Sequence, residues 1–128
     1  MSFTEFLDSN VIVYAFTNNP RKEMCRKAII ESRLITNTLA LSEATAKISV
    51  ITDKEQAKHA LTAILKSANI QIIDLTGSLL FEAMRRHHKY SLLLFDLIHY
   101  TTALMNNCQS IISYDKDFDK LEIPRAEP

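Results

Sequence analysis

The chain has 128 residues, 47% of them hydrophobic and 23% charged, and its 15 basic residues balance 15 acidic ones. Leu, Ile, Val and Phe fill 38 positions, about 30% of the chain, which excludes intrinsic disorder and predicts one folded domain over residues 1–128. No apolar run approaches the roughly 20 residues of a membrane span, and Met1 to Leu7 carries Glu5 without a basic and then apolar leader, so no membrane association and a cytoplasmic location are expected.

In chain order, Phe3 to Asp8 is a candidate strand, followed by helices over Asn10 to Phe16 and Pro20 to Ser32. The second of these has Pro near its first turn, with Met24, Ala28 and Ile29 spaced for one buried face. Leu34 to Asn37 reads as a strand, with Thr38 as the cap of a helix from Leu39 to Ile51 in which Leu41, Ala44 and Ile48 recur at helical spacing. Thr52 or Asp53 caps the next helix, Lys54 to Ser67, with Ala57, Ala60, Leu61, Ile64 and Leu65 inward. A strand at Ile70 to Asp74 precedes a helix from Thr76 to Lys89, whose basic end suits the helix dipole. A further helix, Asp96 to Asn106, leads to a strand at Ser110 to Ser113 and then to Tyr114 to Phe118, and Leu121 to Pro128 has room for a short edge strand. Strands separated by helical segments of ten or more residues require crossover connections. The fold class is therefore α/β, a mainly parallel sheet of four to five strands sandwiched by helices, with ligands expected beyond the carboxyl ends of the strands. Cys25 and Cys108 have neither CxxC nor Cys/His spacing and read as reduced core thiols.

Four acids stand in poorly charged surroundings: Asp8 in Phe-Leu-Asp-Ser-Asn, Glu43 in Leu-Ser-Glu-Ala-Thr, Asp96 in Leu-Phe-Asp-Leu-Ile, and Asp115 in Ser-Tyr-Asp-Lys-Asp. None has an obvious cation within its own helical turn. A carboxylate near an apolar core is costly unless paired, protonated or bound to a cation. Any one of the four taken singly reads more readily as a cap, a surface residue or half of an ion pair. Together, at one edge of the sheet, they point to a hard divalent cation, Mg²⁺ or Mn²⁺, and to metal-assisted phosphodiester hydrolysis. Setting these four aside leaves 11 acids against 15 bases on the rest of the chain, a balance suited to a polyanion.

Phe-Leu-Asp8-Ser-Asn10-Val-Ile, Glu43 in an early helix, Asp96 opening Asp-Leu-Ile-His-Tyr-Thr-Thr-Ala, and Ser113-Tyr-Asp115-Lys-Asp117-Phe118 resemble the PIN domain, in particular the small VapC-type toxin nucleases. The resemblance spans almost the whole chain. It implies a parallel sheet between helices and a Mg²⁺- or Mn²⁺-dependent endoribonuclease that acts on RNA, forms homodimers and is inhibited by a cognate antitoxin protein. By position, it implies that Asp8 and Asp96 are the main metal ligands. Glu43 and Asp115 would complete the pocket through waters or a second cation, Asn10 would orient the carboxylates, and Ser113 would fill the small-hydroxyl position. Asp117 either substitutes for Asp115 or caps the following turn, and Phe118 packs in the core.

His99, three residues after Asp96, either reaches the pocket as a proton shuttle or substrate contact or is a hydrogen-bonded structural histidine. The basic groups Arg21, Lys22, Arg26 and Lys27, and Arg85, Arg86, His87, His88 and Lys89, read as solvated helix faces, with phosphate contact from Arg85 and Arg86 as the functional alternative. Tyr14, Tyr90, Tyr100 and Tyr114 show no interleaving with basic residues and read as packing groups. Two further functions remain: a PIN-like module binding RNA or protein without cleaving, or an RNA-processing nuclease without a toxin role. A phosphoacceptor receiver requires adjacent acids where Ser9 and Asn10 follow Asp8, and a dehalogenase-like phosphatase requires an acid where Asn10 stands.

Overall fold

The computed structural model describes residues 4–128. Strand β1, Thr4–Leu7, covers the expected first strand from its second residue, and Phe3, its expected start, lies outside the described residues. The chain continues through α1 (Ser9–Ala15), α2 (Lys22–Glu31), β2 (Arg33–Asn37), α3 (Thr38–Ile51), α4 (Lys54–Lys66) and β3 (Ile70–Ile73). It then forms α5 (Gly77–Arg85), α6 (Leu94–Met105), β4 (Ser110–Ile112), a single 3-10 turn (Lys116–Phe118) and β5 (Arg125–Ala126).

All strand pairs are parallel, in the order β3-β2-β1-β4-β5. Neighbouring strand residues face opposite sides, as the two-residue period of a strand requires. Leu7, Leu34 and Ile112 join the core beneath α1 to α4, whereas Phe6, Ile35 and Ile111 join the core beneath α5 and α6. Both faces are thus covered, which gives the expected α/β sandwich. The order grows outward from β1 through β2 to β3, and then on the other side through β4 to β5. The switch falls between β1 and β4, and the crevice beyond their carboxyl ends is where such sheets bind ligands.

Several boundaries and facings differ from expectation. In α2, Cys25 and Ile29 are buried while Met24 faces out, half exposed, and in α4 Leu65 also points outward. The helix expected from Thr76 to Lys89 ends at Arg85, and the following residues turn through hydrogen bonds from Arg86, His87 and Lys89 N–H groups to Ala83, Met84 and Arg86 carbonyls. The cap of α3 is Asn37, not Thr38: the Asn37 side chain accepts from Ala40 N–H at 2.7 Å, and the Thr38 hydroxyl accepts from Leu75 N–H instead. Asp53 caps α4 by accepting from Gln56 N–H. Both cysteines are buried and free, and among the described residues no helix is long and apolar enough to cross a membrane.

Candidate metal centre

The site assembles at the switch point. Asp8 follows β1 directly and caps α1, with Oδ1 accepting from Ser9 N–H at 2.8 Å. The register that sets Leu7 beside Ile112 brings Ser113 against Asp8, and the Ser113 hydroxyl donates to Asp8 Oδ2 at 2.6 Å. The same hydroxyl accepts from Asp115 N–H at 2.9 Å and from Asn10 Nδ2 at 3.2 Å, so all of its hydrogen-bonding capacity is spent on the site. Asn10 Nδ2 also lies 3.2 Å from Asp8 Oδ2, while its carbonyl oxygen accepts from Tyr114 N–H. One serine and one asparagine therefore lock the end of β1 to the chain leaving β4.

Asp96, in the first turn of α6, meets Asp115 and Asp117 closely enough that all three offer carboxylate oxygens within 4.8 Å of one another. Asp117 was expected either to stand in for Asp115 or to cap the turn. The cap is Asp115, whose Oδ1 accepts from Asp117 N–H, and Asp117 joins the acid trio. Burial and the nearby Asp115 and Asp8 carboxylates push the Asp96 carboxyl up to about 6. Asp8 is almost fully buried; burial raises its carboxyl above the ordinary value, against the hydrogen bonds from Ser113 and Ser9 that favour its charged form. Asp8 and Asp96 thus share one field, but the tightest group of oxygens is Asp96, Asp115 and Asp117.

Glu43, on α3, faces the same crevice and adds to the field on Asp8. Its Oε1 lies 2.7 Å from His99 Nε2, and His99 is fully buried. The histidine tautomer follows from its other neighbour. Asn37 uses its carbonyl oxygen to cap α3, so its Nδ2 faces His99 Nδ1 at 3.1 Å and Thr102 Oγ1 at 3.0 Å. Nδ1 must accept there, so Nε2 carries the proton and donates to Glu43. Both ring nitrogens are spent, and with no exposed surface His99 meets the crevice only through Glu43. That is the structural alternative of the two read from the sequence. Asn37 was not singled out there; its only signal was a polar residue before a helical period.

Arg85 and Arg86 both bind Glu82 on α5, at 3.0 and 2.7 Å, rather than any acid of the site. Among the described residues, the other lysine and arginine ion pairs also lie elsewhere, Lys89 with Glu122 and Arg125 with Asp119 and Glu127. Tyr90 and Tyr100 are buried, and the other two tyrosines share a cation: the Arg21 guanidinium lies 4.2 Å from the Tyr114 ring centroid and 5.1 Å from that of Tyr14. No sequence spacing signals this, because Tyr114 arrives from the opposite end of the chain.

Clustered carboxylates are the donor set of a hard divalent cation, which offsets the burial and mutual repulsion that raise the Asp96 carboxyl. The residues present fit Mg²⁺ or Mn²⁺ by donor chemistry.

The family model for the PIN domain matches residues 6–124. No curated protein matches the sequence. Among solved structures, the chain is similar to VapC20 of Mycobacterium tuberculosis, described as a sarcin-ricin-loop-cleaving toxin, with a TM-score of 0.81 at 16% identity, covering 97% of this chain and 99% of that one. A toxin-antitoxin complex from Klebsiella pneumoniae matches with a TM-score of 0.74 at 16% identity over 97% of both chains. VapBC2 from Rickettsia felis, bound to a promoter DNA fragment, matches with a TM-score of 0.69 at 18% identity over 98% of both. At these identities the likeness is one of fold.

Proposed function

From its membership of the PIN domain family, in which a matching model spans residues 6–124, we propose that this chain is a divalent-cation-dependent endoribonuclease and the toxin of a toxin-antitoxin pair. The observation that carries the reading is the convergence of Asp8, Asp96, Asp115 and Asp117 at the sheet's switch point, with Glu43 beside them. Asp96, Asp115 and Asp117 would hold Mg²⁺ or Mn²⁺, and Asp8, deeper and fixed by Ser113 and Asn10, would share its charge with them. A cation bound there supplies Lewis acidity for the charge that develops on a phosphodiester during hydrolysis. The residues around it do the positioning: Ser113 and Asn10 keep Asp8 oriented, and His99 holds Glu43 toward the crevice. The toxin role draws its support from the folds named above, which come from toxins and toxin-antitoxin complexes. A cognate antitoxin, cytoplasmic action, a single working domain and a homodimer belong to the same reading. Exposed Phe81 and Leu93, on or beside the packed pair α5 and α6, favour the homodimer.

Purified protein incubated with structured RNA and Mn²⁺ tests the activity. Cleavage is expected from the parent and is expected to fall at least a hundredfold in Asp96→Asn and in Asp8→Asn, the scale of loss when charge stabilisation at the reacting centre is removed. Variants that cleave as fast as the parent sink the reading.

A further inference from the structure

Beside the acids lies a cavity of about 510 Å³ between α1 and α3, well within the range of small-ligand clefts. It shares Asn10 and Glu43 with the metal centre, so whatever occupies it is continuous with the cleavage position. Its remaining wall mixes an aromatic ring, Tyr14, with an amide, Asn18, and an ammonium, Lys47. Tyr14 stands edge-on to Tyr114 at 5.3 Å between centroids, with the Arg21 guanidinium 5.1 Å from its ring centroid, so the ring is braced by two neighbours.

Lys47 is the informative residue. It follows Glu43 by one helical turn on α3, the spacing at which a glutamate and a lysine ordinarily pair. The Glu43 carboxylate is instead drawn to His99, and Lys47 is left exposed with no ion pair among the described residues. Asn18, at the mouth, likewise has no hydrogen-bond partner among the described residues. A cation and an amide without partners, next to an aromatic ring and a cluster of carboxylates, fit a ligand that carries both a phosphate and a planar, hydrogen-bonding ring.

We propose that this cavity is a nucleotide subsite, which takes the single-stranded nucleotide next to the bond that is cut, its base on Tyr14 and its phosphate on Lys47. The proposal rests on the ribonuclease reading and deepens it. It also answers an electrostatic difficulty of that reading, since a polyanion must approach a pocket of carboxylates. Lys47 and Arg21 supply opposite charge on the approach, and ring stacking adds attraction indifferent to sequence.

The test separates binding from cleavage. Protein freed of metal with EDTA is titrated into a labelled, mixed-sequence, single-stranded RNA decamer at several salt concentrations, with binding read by fluorescence anisotropy. Lys47→Gln is expected to weaken binding roughly tenfold and to lower the salt slope by about one, as the loss of one phosphate contact requires. Tyr14→Leu is expected to weaken it roughly fivefold or more, with circular dichroism showing the fold retained. Lys66→Gln, at the end of α4 where the chain enters β3 and so at the opposite end of the strands from the crevice, is expected to bind as the parent does. Absence of binding by the parent, or equal binding by parent, Lys47→Gln and Tyr14→Leu, overturns the subsite. An equal loss in Lys66→Gln also overturns it, because the effect would then be general charge. RNA cleavage with Mn²⁺ that is unaffected by both cavity variants removes the subsite and keeps the nuclease. Binding that depends on the cavity, without cleavage by the parent, keeps the subsite and removes the nuclease.

Discussion

Asp96 is half buried beside other carboxylates, and its titration bears on how the acids of the site act on one another. Its carboxyl is raised from 3.8 to about 6, first by burial and then by the neighbouring acids. A raised carboxyl binds its proton more tightly in the folded than in the unfolded chain. Without a cation, its contribution to stability is therefore complete below about pH 4 and is lost as pH rises through about 6. Asp96→Asn removes that titration. In urea unfolding series of metal-free protein, the variant is expected to gain on the parent steadily between about pH 4 and pH 6, and the two are expected to converge at lower pH. A difference that does not change with pH would show that Asp96 ionises freely and that the acids do not act on one another. Asp8 and Asp96 stood out in the sequence because each interrupts an apolar stretch, and Asp115 because it lies just past an apolar strand. Asp117 was harder to place, since a carboxylate two residues after another reads equally as a cap, and only the 3-10 turn decides which of them caps and which faces Asp96.

At the scale of elements, the site depends on how α3 is tied to α6. Asn37 spans the joint with three hydrogen bonds: its oxygen caps α3, and its nitrogen reaches His99 and Thr102 on α6. Glu43 is held through the same joint, since His99 bonds it. Asn37→Ala is expected to cost about 1–3 kcal/mol, the sum of a lost cap and a buried acceptor left unpaired. It is also expected to lower RNA cleavage at temperatures where the variant is still fully folded, because Glu43 is then held by a loosened histidine. Asp53→Ala, which removes the exposed cap of α4, is expected to cost about 1 kcal/mol and to leave cleavage unchanged. Equal effects of the two on cleavage would show that Asn37 is no more than a cap. The helices and strands themselves were legible from apolar spacing, because both faces of the sheet must be covered. What was not legible is what tertiary contact decides: Thr38 and Asn37 are both good caps by chemistry, and Asn37 prevails because its amide also has partners on α6. Met24 and Cys25 are similarly ambiguous by period, and the smaller Cys25 is the one that packs beneath the sheet, against Tyr114 at 3.6 Å.

For the whole molecule, the strand order accounts for where the acids meet, and the exposed apolar surface bears on the proposed homodimer. Because β1 and β4 are neighbours with growth outward on either side, Asp8 and Ser113 adjoin although 105 residues apart, and α3 and α6 bring Glu43 and Asp96 over the same crevice. Apolar surface is left open on α5 and at the approach to α6, where Phe81 is 65% and Leu93 80% exposed. In the proposed homodimer these side chains would be covered by a second copy through a closed two-fold contact. Sedimentation of the parent is expected to give twice 14.6 kDa, and Phe81→Glu combined with Leu93→Glu is expected to give the single 14.6 kDa chain with unchanged circular dichroism. Neither residue is itself among the acids of the site, so metal binding, read as a rise in melting temperature on adding Mn²⁺ at neutral pH, is expected to persist in the monomer. A parent that sediments as a single chain at micromolar concentration refutes the dimer. A double variant that loses the Mn²⁺ response would instead show that the crevice is complete only when two chains meet.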